Sequence, residues 1–556
     1  MTTTSTTATE AYAALKSAQY DMTMIIHSRQ RDRLIAAGYA DYAGDGPKGR
    51  LLRYWLSAPR TSEGYIPMSA TIYSKIVKWD YRAIRNHHLR MRSEIYALRA
   101  DGIIARMSHF TPGTNNTNGI ATQITSLQFP SSIDAIIYDR DPIYCKREGW
   151  VDIATGKLLS YQDLRRLEQT ARHHANEYNT KAEIDEHRDW YDYLNNTLTS
   201  YNFRLPESRT AATLKLYDKY FARYTRLRNT MGDNCDDGQA LREAAQELRT
   251  AMNMLHGFYH VSLFPQPVYV RSRRSPRFYA TGQSLLTMPT EVRQALYPNV
   301  IECDLASAQA AIYATIIGVP SLTRLLTDHL LGGPSLWEYL FSILDVTDTK
   351  KKDLLKPILK RFVYSLCFGM DGKRLLKPKY LTRIDEYGQK LSYSTDNAQV
   401  QRALAYLKSL DGRKKIMSDP LIMEWLDARD AVLTQIETNG SMTDAYVRWI
   451  NIGMADDPGD PFDAKSVLAY VIQSWEVKLL EPVRQLAIEA AKKTSHTWRI
   501  LLWQHDGFSI TCETRDADHI VDSLQHAVHA FASELDIPTK LEVKYDGIRK
   551  GETASL

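Results

Sequence analysis

The sequence predicts an α+β chain whose chemistry lies in its C-terminal half, and three observations carry that expectation. An apolar strand (Val300, Ile301) leads into Asp304 and is followed by small residues and a helix-compatible run. A helical stretch then places Lys356, Lys360, Tyr364 and Phe368 at every fourth position. Finally, two apolar runs flank His505-Asp506-Gly507, the pattern of a β-hairpin.

The bulk properties set the frame for these elements. A chain of 556 residues is too long for one ordinary core, so two to four domains are expected. Hydrophobic residues make up 44% and charged residues 24%, which excludes wholesale disorder. The net charge of +5 is modest, but the basic residues are clustered. Residues 51–110 hold ten Lys or Arg against four Asp or Glu, and residues 350–379 hold ten against two. Arg271, Arg273, Arg274 and Arg277 form a third block. Local basic blocks on a near-neutral chain suit a protein that grips a phosphate backbone at defined places. The five cysteines are scattered without zinc-ligand spacing, which argues against a structural zinc site and a disulfide framework. No run is apolar enough for a membrane span, and the Thr-rich start lacks the features of a signal peptide. A soluble, cytoplasmic protein is expected.

In chain order, residues 1–10 read as a disordered tail. Residues 11–130 contain a candidate winged helix-turn-helix. Its parts are a helix over 69–77 with Ser69 as N-cap, a basic helix over 81–99, and two strands around the turn-forming PGTNNTNG. Such a module would dock duplex DNA through residues 51–124; a small structural or protein-contact domain reads the same way. Residues 131–270 are mainly helical, with a surface loop around Asp233, Asp236 and Asp237. Residues 271–556 carry the mixed α/β texture.

Each chemical segment has two readings when taken alone. Asp304 could hold a metal at the end of a buried strand, or cap the helix that follows. The Lys356–Phe368 face puts two cations at one end and two aromatics at the other, able to bind phosphates and stack a base or sugar. It equally fits an amphipathic helix, with Pro357 in its first turn. Asp506-Gly507 is a strong hairpin-turn signal on its own.

Order and spacing favour the chemical readings. The segment Asp304-Leu305-Ala306-Ser307-Ala308-Gln309 resembles motif A of family A DNA polymerases, the group of bacterial DNA polymerase I. More distantly, it resembles the phage-type single-subunit RNA polymerases. Lys356, Lys360, Tyr364, Phe368 and Gly369 match their motif B in register, and His505-Asp506-Gly507 matches motif C. Gln473 lies 32 residues before His505, a separation similar to that of the family's palm-helix glutamine. Arg277 is the candidate for the family's arginine ahead of motif A. The resemblance covers roughly residues 270–550.

This resemblance implies a right-hand polymerase of palm, fingers (about 320–415) and thumb, with 131–270 as a helical linker or thumb-like region. It implies Mg²⁺ as cofactor, two ions held by Asp304 and Asp506, with Mn²⁺ able to substitute. Lys360 would meet the incoming phosphates, Lys356 the γ-phosphate end, Tyr364 the sugar and Phe368 the base. His505 would orient the primer terminus. Gln473 and Arg277 would read the minor-groove side of the nascent pair, and Arg271, Arg273 and Arg274 would add nucleic-acid contacts. Its partners would be a DNA primer-template and dNTPs, handled by a monomer in a bacterial or virus-infected cell.

The sequence also departs from the family. Gln309 and Phe368 stand where DNA-making members place Glu and Tyr at the sugar gate, so bulk is kept while charge and hydroxyl are lost. Gly507 replaces the acidic residue of motif C. No Asp-x-Glu that could open a 3′–5′ exonuclease occurs in residues 1–270. The expectation is therefore a DNA polymerase without proofreading, serving a phage, plasmid or mobile element. Two alternatives remain: a primase or RNA polymerase of the same superfamily using rNTPs, or an inactive polymerase fold acting as a DNA-binding replication initiator.

Overall fold

Along Ile301–Leu305 burial alternates, so that Ile301, Cys303 and Leu305 enter the core while Glu302 and Asp304 share the other face. This is the period of a half-buried strand, and the strand lies inside a four-stranded antiparallel sheet. The order is Trp498–Trp503, Gly507–Cys512, Ile301–Leu305, Leu541–Tyr545. Ile500, Ile510 and Ile301 pair across three neighbouring strands and are wholly buried, which fixes the register from the apolar end. The computed structural model describes residues 8–57, 149–231 and 251–545, with breaks at 24, 44–45, 153–155, 182–187, 198–206, 455–460 and 494–497. Scattered residues of 252–299 and most of 370–397 are also outside the description, as is most of 58–148 beyond short strands.

The described residues form two compact units. One comprises residues 1–270 and 280–298, the other 271–279 and 299–556. In the first, the helices Ala8–Thr23 and Tyr161–Lys181 pack together around Leu15, Ala18, Trp150, Leu164, Ala171 and Phe264. Ile25–His27 pairs antiparallel with Trp150–Asp152. Ile66–Ser69 and Arg106–Met107 flank Gln123–Gln128, and Thr111–Pro112 also pairs with it. Ser69 thus ends a strand. The rest of the helix expected over 69–77 and, apart from the helical Tyr96, the one over 81–99 lie outside the described residues, as do the loop at Asp233–Asp237 and most of the turn-forming segment. Residues 161–231 are largely helical, in Tyr161–Lys181, Arg188–Asp192 and Glu207–Met231.

In the second unit, helices cover the sheet and hold its functional end. Glu481–Lys492 packs on the Trp498–Trp503 strand, and Ala517–Glu534 on Leu541–Tyr545. The helix Ala308–Tyr313, which follows Asp304, packs against both Ala464–Leu479 and Thr349–Cys367. The turn from strand to helix passes through Ser307 at φ 49°, a conformation that non-glycine residues rarely adopt. Ser307, not Asp304, therefore occupies the N-cap position, and the capping alternative for Asp304 falls away. No helix among the described residues is long and apolar enough to cross a membrane.

Two local expectations need correction. The helix carrying Lys356 and Lys360 runs from Thr349 to Cys367, and Pro357 sits inside it, not in its first turn. Asp348 sets the start by accepting a bond from the Lys351 amide. Pro357 is tolerated because it and Asp353, whose carbonyl it leaves unbonded, both face water. The hairpin near residue 506 is present, but its turn is Gln504-His505-Asp506, closed by the Gln504 amide donating to the Gly507 carbonyl at 2.8 Å. Gly507 begins the next strand.

Candidate active site

The two motif aspartates meet at one end of the sheet. Gly507 pairs directly with Asp304, and the Leu305 amide donates to the Asp506 carbonyl at 2.8 Å. A Cβ on Gly507 would lie 2.5 Å from the Cys303 carbonyl oxygen and 2.9 Å from Asp304 Oδ1. Gly507 is thus required for close approach, where the sequence had suggested a turn glycine. The acidic residue that the family carries there has no room in this arrangement.

The electrostatics follow from that proximity. Burial, and then the Asp506 charge, push the Asp304 carboxyl up to about 7, against the pull of Lys544 and Lys360. Lys544 lies on the strand Leu541–Tyr545, where Glu542 pairs with Asp304. Lys360 comes from the helix Thr349–Cys367, exposed, with its Nζ 5.6 Å from the Tyr364 ring centroid. Tyr364 is half-buried; burial and the charges of Asp506, Glu476 and Asp304 raise its phenol above the ordinary range. Lys356 lies one turn earlier on the same helix and is exposed. Phe368 is the C-cap of that helix, half-buried, with Gly369 following at φ 74°.

Gln309 sits in the first turn after Asp304, 8% exposed, and its Oε1 has no hydrogen-bond partner. His505 packs its ring against Tyr279, with centroids 4.9 Å apart. Burial and the Arg277 charge lower it to about 3, so the imidazole is neutral at physiological pH.

Residues 275–277 meet the helix Ala464–Leu479 at Gln473 and Glu476. The Ser275 hydroxyl donates to Gln473 Oε1, and Arg277 donates through Nε and Nη2 to Glu476 Oε2. Burial opposes the Arg277 cation, but the charges of Glu476, Tyr279 and Asp506, with the bond to Glu476, together outweigh it and raise its pKa. Arg271 requires correction as an exposed nucleic-acid contact. It is only 2% exposed and donates to the Tyr470 hydroxyl at 3.1 Å, so it is an internal cation. Arg273 and Arg274 lie outside the described residues.

Glu476 escaped the sequence reading. It is completely buried, and burial raises it to about 7 against the pull of Arg277. A signal was present: a single acid within VIQSWEVKLL, three residues after Gln473, is surrounded by apolar positions that a buried helix face would claim.

The donor set at Asp304 and Asp506 is carboxylate oxygen, and the Asp506 charge is, after burial, the next cause that raises Asp304. Both properties fit a hard divalent cation such as Mg²⁺.

No family model matches the chain, and no curated protein matches it. Among solved structures, it is similar to the POL domain of Pol1 from M. smegmatis in complex with DNA primer-template and dNTP. The identity is 13% and the TM-score 0.42, over 68% of this chain and 74% of that one. A likeness of this degree assigns neither a family nor an activity, so the functional reading rests on the residues themselves.

Proposed function

We propose that the chain is a DNA-directed DNA polymerase that adds dNTPs to a primer on a template, with Asp304 and Asp506 holding two Mg²⁺ ions. The observation that carries this reading is the convergence of Asp304, on its strand, with Asp506, in the turn that leads into the adjacent strand, and with Lys360 within electrostatic reach. These are residues 304, 360 and 506, in the order in which motifs A, B and C occur in family A polymerases. In this reading, residues 299–319 and 440–545 contribute the palm, and the region around the Lys360 helix the fingers.

When bound, the ions would lower the pKa of the attacking 3′-hydroxyl and neutralise charge on the entering and leaving oxygens. The protein's own groups do the rest. Lys360, exposed and within electrostatic reach of Asp304, meets the triphosphate and can protonate the departing pyrophosphate. Lys356, one turn away, takes the γ-phosphate end. Tyr364 lies against the sugar and Phe368 against the base. Neutral His505, held by Tyr279, orients the primer terminus. Gln473 and Arg277 face the minor-groove edge of the terminal pair. Gln309 stands at the sugar gate, with a buried acceptor free to respond to the nucleotide.

The layout supports a replication enzyme of a phage, plasmid or mobile element, with residues 51–124 as its duplex-docking module. The test supplies primed and unprimed templates with dNTPs or rNTPs in turn. Extension confined to primed templates with dNTPs is expected. Robust unprimed synthesis from rNTPs would establish a primase or RNA polymerase instead. Absence of any metal-dependent product would leave a DNA-binding scaffold.

A further inference from the structure

Tyr470, Gln473 and Glu476 are spaced three residues apart and share one face of the helix Ala464–Leu479. Each engages one residue of the segment 271–279, in matching order. Arg271 donates to Tyr470, Ser275 to Gln473 and Arg277 to Glu476. Tyr279 continues the series against the His505 ring. Nothing in the chemistry above uses Glu476 itself, yet it is a wholly buried carboxylate.

The form of the ion pair is informative. Glu476 Oε2 takes two bonds from Arg277, one through Nε and one through Nη2. This uses one edge of the guanidinium, fixes its plane and leaves the Nη1 edge as the remaining donor edge. A free arginine side chain carries about 2 kcal/mol of rotamer entropy; a clamped one does not adjust. Every correct Watson–Crick pair presents acceptors at nearly the same minor-groove positions, while a mispair displaces them. A rigid donor therefore bonds a correct terminus and misses a wrong one, whereas a mobile donor could follow either.

We infer that Glu476 is a positioning residue that clamps Arg277 so that it discriminates paired from mispaired primer termini. This inference rests on the polymerase reading. Its test compares extension of matched and mismatched termini, with kcat and KM separated, for the wild type, Glu476→Gln, Arg277→Met and the double variant. Glu476→Gln should narrow the matched-to-mismatched ratio on the order of tenfold, through faster relative extension of mismatches. Arg277→Met should narrow it as far, and the double variant no further, because both residues act as one unit. Arg277→Lys keeps a buried cation but cannot place two donors on one carboxylate oxygen. It should narrow the ratio in the same way, and serves if Glu476→Gln does not fold.

A wild type that extends primers, beside folded variants with the wild-type ratio, overturns the inference alone. So do single effects that multiply in the double variant. A wild type that extends neither terminus overturns the polymerase reading, and the inference with it.

Discussion

The Asp304–Asp506 end of the sheet and the Arg277–Glu476 pair are both built from buried charge, but they are balanced in opposite ways. Glu476 is bonded directly to the Arg277 guanidinium, and its charge is the largest of those that raise Arg277 despite burial. Asp304 has another carboxylate for a neighbour, while its nearest cations, Lys360 and Lys544, act only at longer range. A compensated pair in low dielectric locks a geometry. An uncompensated pair costs stability unless something positive is bound there. In the proposed reading, the first pair positions and the second receives a cation.

The largest expected effect comes from removing a carboxylate. Asp304→Ala or Asp506→Ala should bring nucleotide incorporation below detection while primer-template binding, followed by fluorescence anisotropy, is retained. Lys360→Ala should lower kcat by roughly 10²-fold or more, the scale of a lost general acid. Single-turnover incorporation measures this, and a wild-type kcat would remove Lys360 from the chemistry.

Gly507→Ala tests the closeness of the two strands. The added methyl group meets the Cys303 carbonyl and Asp304 Oδ1, so a loss of roughly 1–3 kcal/mol in denaturant unfolding is expected. A higher Mg²⁺ requirement for incorporation should accompany it. An unchanged unfolding midpoint would contradict the close approach.

The sign of the pH effect follows from the raised carboxyls. Asp304 and Glu476 both stand near 7 in the folded, metal-free protein, above their ordinary values of 3.8 and 4.5. Between about pH 4 and 7 the folded state therefore holds protons that the unfolded chain has released, so stability falls as pH rises through that window. Asp304→Asn removes its share of that loss. In EDTA at pH 8 its Tm should exceed the wild type's by roughly 2–4 °C, with the gap closing toward pH 4. A gap that stays constant from pH 4 to 8 would show that Asp304 is not the source. The smallest effect belongs to the sugar gate. Phe368→Tyr restores a hydroxyl, and if one hydrogen bond is regained, dNTP preference over rNTP should rise by about 2–10-fold.

Much of this site was legible in the sequence because a strand end, a four-residue repeat and a hairpin each fix where a side chain goes. Which of them carry chemistry was read from the order of Asp304, Lys360 and Asp506 and their resemblance to the family motifs, and the spacing to Gln473 pointed to the helix that bonds Arg277. What stayed hidden depended on partners distant in the chain. Glu476 looks like any helical acid until Arg277, 199 residues away, is packed against it. Arg271 looks like a surface cation until Tyr470 covers it. Gly507 fits a hairpin turn so well that its actual role, leaving room for Asp304, could not be read from its neighbours. Pro357 pointed to a helix start that Asp348 had already set nine residues earlier.

Single-nucleotide incorporation on a primed template tests the central claim most directly, with wild type, Asp304→Asn and Asp506→Asn assayed side by side in Mg²⁺ and in EDTA. Product is expected only for the wild type in Mg²⁺, with both variants folded and still binding the duplex. Extension by either variant at the wild-type rate, or by the wild type in EDTA, would contradict it.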